Sequence, residues 1–227
     1  MRQWIIFGLI TVSVLSFSPS LWAGPIIFGG TVGGGNCIPF GCSGFFGATA
    51  YQQVYAASKF SSTVPISRIT FFAFTTGPQY HLDGTFEISL SYTTRPVNGL
   101  SSGDPSDNIG ADEALFGSYT LTGEILPAML SFDGNTFSYD PLLGNLLMTV
   151  IISAKSSEPF AFFEADSSGT VTSRAVFPQG ADQEGLATGF NLFTPVPEPP
   201  AFPLLALAMA LTLVGYKLRL QLASAGS

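Results

Sequence analysis

Apolar and polar residues alternate with a period of two through much of the middle of the chain. Across 85–92, Phe86, Ile88, Leu90 and Tyr92 interleave with Glu87, Ser89 and Ser91, the pattern of a strand with one buried face and one wet face. Residues 66–74 are rich in Ile and Phe, and 115–122 set Tyr119 and Leu121 among Ser118, Thr120 and Thr122. The run 146–152 is continuously apolar, which predicts a central strand covered on both faces. "SFDGNTFSYD" reads as two short strands about an Asp133-Gly134 turn. Residues 160–164 and 170–177, on either side of "DSSG", read as a further hairpin, and 189–193 as a last strand. No part of this body carries a 3.6-residue stripe. Short strands punctuated by Gly, Pro, Asp and Asn predict an all-β body, a β-sandwich or jelly roll.

The two ends lack this alternation. In 1–23, Arg2 precedes an uncharged apolar stretch over 4–17, followed by "SPSLWA". This is the layout of a secretory signal helix, and a cut after Ala23 leaves Gly24 as the first mature residue. The alternative is an uncleaved anchor, for which the stretch is short. At the other end "TPVPEPPA" leads into the uncharged run 202–216, then Lys217 and Arg219. That run is near the lower limit for a single transmembrane helix, and the basic pair favours a cytoplasmic C-terminus. A buried core helix is the alternative.

With both ends set aside, about 170 residues remain, enough for one domain with a core. It spans 48–194, preceded by a Gly-rich lead-in over 24–47 in which "GGTVGGGN" has no strand or helix signal. A hydrophobic content of 46%, with 21 Phe, argues against disorder. Arg2, Lys217 and Arg219 account for three of the eight basic residues; the five others face fifteen acids, so the middle carries a net charge of −10. That sign repels phosphate backbones and excludes nucleic acid as a partner. Cys37 and Cys42, in "NCIPFGC", read as a local disulfide in an exported chain, with a free thiol pair as the alternative.

The C-terminal arrangement resembles the PEP-CTERM sorting signal of bacteria that make exopolysaccharide. Val196, Pro197, Glu198 and Pro199 match its motif, 202–216 its helix, and Lys217 and Arg219 its basic end, although the family's basic run is denser. The resemblance implies an exosortase-type membrane protease as partner, together with signal peptidase and the export machinery. It also implies transient anchoring in the inner membrane, with the body outside, before release to the cell surface or extracellular matrix. Prolines hold such a motif extended and out of the helix, where a protease can thread it. The body is similar to a domain found upstream of such tails, through "YQQVYAASKF", "NIGADEALFGSY", "FSYDPLLGNLLMTV" and "TSRAVF". That domain has no assigned activity, so the likeness implies a class and not a chemistry.

Candidate chemistry within the body is thin. Residues 99–103 match G-x-S-x-G around Ser101, but Pro96 and Pro105 place the motif in a loop, and a hydrolase elbow needs a strand before the serine and a helix after it. His81, the only histidine, precedes that serine; a base paired with Asp83 is the alternative to an ordinary exposed residue. No catalytic residue is assigned. The acidic loop containing Asp104, Asp107, Asn108, Asp112 and Glu113 offers the hard oxygen ligands that calcium takes, in a spacing unlike an EF-hand; the alternative is a solvated loop. Tyr51, Tyr55, Tyr80, Tyr92, Tyr119 and Tyr139 could stack on sugars, but most fall in strand patterns that predict packing. Thr120/Thr122 and Thr170/Thr172 are too few for an ice-binding array. The expectation is a non-enzymatic exported protein associated with exopolysaccharide; a secreted carbohydrate-active enzyme and a permanently anchored envelope protein are the rivals.

Overall fold

The computed structural model describes residues 25–30, 34–74, 81–125, 127–154 and 161–192. In chain order the elements are β1 (Ile26–Phe28), β2 (Gly35–Asn36), the short helix α1 (Ser43–Phe46), β3 (Ala50–Tyr55), β4 (Val64–Phe72), β5 (His81–Thr93) and β6 (Ala114–Ile125). There follow β7 (Met129–Tyr139), β8 (Asn145–Ala154), β9 (Phe163–Asp166), β10 (Thr172–Phe177), β11 (Gly180–Asp182), β12 (Gly185–Leu186) and β13 (Thr188–Phe190). The chain is all-β: α1 is a single turn, and the strands join in antiparallel sheets ordered β1-β13-β4-β7, β11-β10-β3-β8-β5-β6 and β12-β9-β2. Among the described residues no helix is long and apolar enough to cross a membrane; the signal segment 1–23 and the run 202–216 lie outside them.

The period-two pattern is realised in β5, whose Phe86, Ile88 and Leu90 join Met148 and Val150 of β8 and Ile69, Phe71 and Phe132 of the four-stranded sheet in one buried cluster. β8 lies between β3 and β5, and Leu146, Leu147, Met148 and Val150 are all inaccessible. A strand in that position is covered on both faces, which is why its apolar run does not alternate.

Other expectations change. "SFDGNTFSYD" belongs to one strand, β7, and is not a two-strand turn. Ile66 pairs with Phe137 while Arg68 pairs with Asp133, so 134–136 bulge out opposite Ser67. Phe132 and Phe137 are five apart and both buried, a spacing that strict alternation forbids and the bulge restores. Gly134 fits there because a Cβ would stand 2.4 Å from the Phe116 carbonyl oxygen. β9 and β10 do not form a hairpin: β9 pairs with β2 and β12, and β10 with β3 and β11. Ser89 and Ser91, expected on a wet face, are buried because a loop described below crosses that face.

The segment 24–47 packs into the same core. It supplies β1 and β2, and Phe28 and Phe40 are buried. A disulfide joins Cys37 to Cys42, and the loop it closes inserts Phe40 with ring centroids 5.0 Å from Phe71, 5.1 Å from Phe86, 5.2 Å from Phe132 and 5.8 Å from Phe163. These neighbours belong to β4, β5, β7 and β9, so one ring touches all three sheets. Gly41 follows it because a Cβ there would meet the Ala161 carbonyl oxygen at 2.0 Å. Phe40→Ala is expected to cost about 3–5 kcal/mol, whereas Leu142→Ala, at a side chain 90% exposed, changes little; urea titrations of the two variants check this.

Candidate functional site

After β5 the chain leaves the six-stranded sheet, and 94–112 double back as a strap across that sheet's outer face. Val97, Leu100 and Ile109 pack on Ala50, Val54, Leu147, Ala175 and Phe177. Polar groups fasten it. Asn98 takes a left-handed φ of 66°; its N–H donates to Ser173 Oγ at 2.7 Å and its Nδ2 to the Gly169 carbonyl at 2.7 Å. Gln52 Nε2 donates to the Pro105 carbonyl at 2.9 Å, and the Arg95 guanidinium to the Asp107 carbonyl at 3.2 Å.

Asn108 is the centre of this fastening. It is 2% exposed, donates through Nδ2 to Gln52 Oε1 at 2.8 Å and to the Ser101 carbonyl at 2.9 Å, and accepts from Ser101 N at 2.7 Å through Oδ1. A buried amide surrounded by partners in this way locks the loop to the sheet. Its residue type made it a candidate cation ligand in the sequence; nothing in the linear pattern foretold that its partner would be Gln52 of β3.

The other proposed calcium ligands are not gathered into a site. Asp104 caps the turn Pro105–Asn108, accepting from Ser106 N at 2.8 Å and Ser106 Oγ at 2.7 Å; these bonds lower its pKa below the usual carboxylate value. Asp107 Oδ2 accepts from Ser101 Oγ at 2.9 Å. Asp112 and Glu113 are exposed. Among the described residues no group of three or more His, Cys, Asp or Glu is placed to hold a metal. Carboxylates that look like ligands by composition are used here as caps, because a loop crossing a sheet must satisfy its own backbone.

Ser101 has no hydrolase geometry. Its neighbours are Asp107, Asn108 and Gly103 N, and no helix follows it. His81 and Asp83 both lie in β5, opposite Ile125 and Thr122 of β6. Tyr51, Tyr55 and Tyr139 are inaccessible, and burial raises the pKa of each. Tyr92 stacks on Tyr139 at 5.4 Å and Tyr119 lies 4.6 Å from Phe132; burial lifts Tyr119 to about 12. These rings are packing groups rather than sugar platforms. Tyr80, Ala23, Gly24, Val196, Pro197, Glu198, Pro199, Lys217 and Arg219 lie outside the described residues.

A charged cluster not anticipated from sequence lies at the other end of the sheet. Arg174 of β10, with a side chain 10% exposed, bonds Asp182 at 2.9 Å and Glu184 at 2.6 Å. Burial works to lower its pKa, but Tyr51, Asp182 and Glu184 outweigh that and hold it above its ordinary value. Only the spacing of Asp182 and Glu184 after Arg174 in a hairpin could have signalled it.

Two clefts flank the strap. One of about 380 Å³ is lined by Asn98, Ser173, Asp182 and Gln183, and one of about 260 Å³ by Thr93, Thr94, Asp107 and Asp112. Amides, hydroxyls and carboxylates of this kind can hydrogen-bond a hydroxyl-rich ligand. Compared with protein-family models, curated proteins and solved structures, the chain finds no match.

Asn108→Ala is expected to lose about 1–3 kcal/mol, because it strands the Gln52 amide and the Ser101 backbone. Excess calcium leaves the melting temperature of the unaltered protein unchanged; a rise on adding calcium shows that the carboxylates do bind it.

Proposed function

We propose that the chain is an exported, non-enzymatic surface or matrix protein whose C-terminal segment is a sorting tag cut by an exosortase-type membrane protease. One observation carries this: Val196, Pro197, Glu198 and Pro199 stand directly ahead of the uncharged run 202–216, which Lys217 and Arg219 close. In this reading 202–216 crosses the bilayer and holds the finished body outside until the motif is cut.

Several features support it. The body is all-β with a disulfide, a construction suited to an oxidising compartment. The inner faces of the two larger sheets share one core, which supports a β-sandwich. The G-x-S-x-G serine is engaged within its loop, which weighs against hydrolase chemistry. The polar clefts beside the strap favour exopolysaccharide as the polymer that the released body meets.

Deleting 197–199 in the native host is expected to hold the full-length protein in the membrane fraction. Unchanged size and distribution between membrane and medium contradict the sorting reading. Binding of the released body to the host's polysaccharide, and its absence for a chain of unrelated fold, checks the glycan association.

A further inference from the structure

β1 and β13 lie side by side at one edge of the four-stranded sheet, with Ile26 opposite Phe190 in antiparallel register. The chain therefore enters and leaves the body at neighbouring points. Asn191 then turns the chain with a φ of 55°, a left-handed conformation held by its side chain: Oδ1 accepts from Ser67 N at 3.0 Å and Nδ2 donates to the Pro65 carbonyl at 2.7 Å. This sends Leu192 back over the outer face of the sheet, where a Cβ on Gly189 would stand 2.1 Å from Leu192 Cδ1 and 3.5 Å from Phe72 Cζ.

An apolar row results. Ile27 stands opposite Gly189, Leu192 covers that glycine, Phe72 lies next to it, and Met129 pairs with Phe72. Ile27 is 55% and Met129 42% exposed. The four strands of this sheet hold a single carboxylate, Asp133, and Arg68 neutralises it through bonds of 2.6 and 2.7 Å; that guanidinium holds the Asp133 carboxyl below its usual value. The free acids sit across the core, where Glu87 and the strap's Asp104, Asp107, Asp112 and Glu113 are on the outer side of the six-stranded sheet.

The geometry points to the outer face of the four-stranded sheet as the surface that the anchored precursor lays against the lipid bilayer. This rests on the proposed membrane insertion of 202–216. Nine residues, 193–201, separate Leu192 from that run, a reach of at most about 30 Å. The body is thus tethered at this face, within its own dimensions of the membrane. The apolar row gains from entering the interfacial layer, and a body carrying −10 overall is repelled by anionic headgroups least when its acidic strap points away.

The test uses the full chain, motif intact, reconstituted in phosphatidylcholine vesicles containing phosphatidylglycerol and a headgroup-attached spin quencher. Single cysteines, Ile27→Cys and Met129→Cys on one face, Thr120→Cys and Asp112→Cys on the other, carry a fluorophore. The expected result is loss of emission at 27 and 129 and little at 112 and 120. Equal quenching on both faces, in protein that floats with the vesicles, overturns the orientation while leaving the anchor intact. Protein that does not float overturns both. Labels at 27 and 129 shielded from lipid and water alike, either at all protein-to-lipid ratios or only at high ones, show that the tail or a second copy covers the row, and likewise overturn the proposal.

Discussion

Everything in this body depends on the exclusion of water from an aromatic layer that no single sheet can cover. Phe40 is its focus. A ring delivered by a disulfide-closed loop meets side chains from β4, β5, β7 and β9, so the three sheets are joined by one hydrophobic contact rather than by shared hydrogen bonds. Aromatic pairs at these separations add directional preference to the burial itself. Because the loop arises from the segment ahead of β3, the Gly-rich stretch that looks like a lead-in belongs to the core.

Fixing the inner faces leaves two outer faces with different fates. The six-stranded sheet has apolar residues outward at Ala50, Val54, Leu147, Ala175 and Phe177, and the strap covers them. Covering a sheet with irregular chain is costly unless every amide finds a partner, which explains why the loop is rich in Asp, Asn and Ser: its polar side chains serve Ser101, Ser106 and Gln52. The four-stranded sheet has no such cover. Its outer face holds the paired chain ends and a short apolar row, so the molecule has an acidic side and an almost uncharged side.

Much of this was legible from the residues and some was not. Period-two alternation located β4, β5 and β6 because a half-buried strand leaves its signature locally. The run at Leu146 announced β8 for the same reason. The failures share one cause, a partner distant in sequence. Asp133-Gly134 has the composition of a turn, but Arg68 and Phe116 make it a bulge. β9 and β10 flank a turn-like "DSSG" yet pair elsewhere. Asn108 and its acidic neighbours resemble cation ligands until Gln52 and Ser101 are seen to occupy them. Arg174 attracts no notice in "TSRAVF", since its ion pairs appear only once β11 folds back.

The PEP motif and the runs that flank it speak through order and spacing instead of contacts, and they give this β body its proposed destination. A stable body that shields its own backbone can stand outside the membrane on a proline-rich spacer while a protease works on that spacer. The most direct test is mass spectrometry of the C-terminus of the protein recovered outside cells of its native host. The account predicts a chain that ends close to Pro197, Glu198 and Pro199, without the apolar run. Recovery of the same protein intact through Ser227 contradicts it.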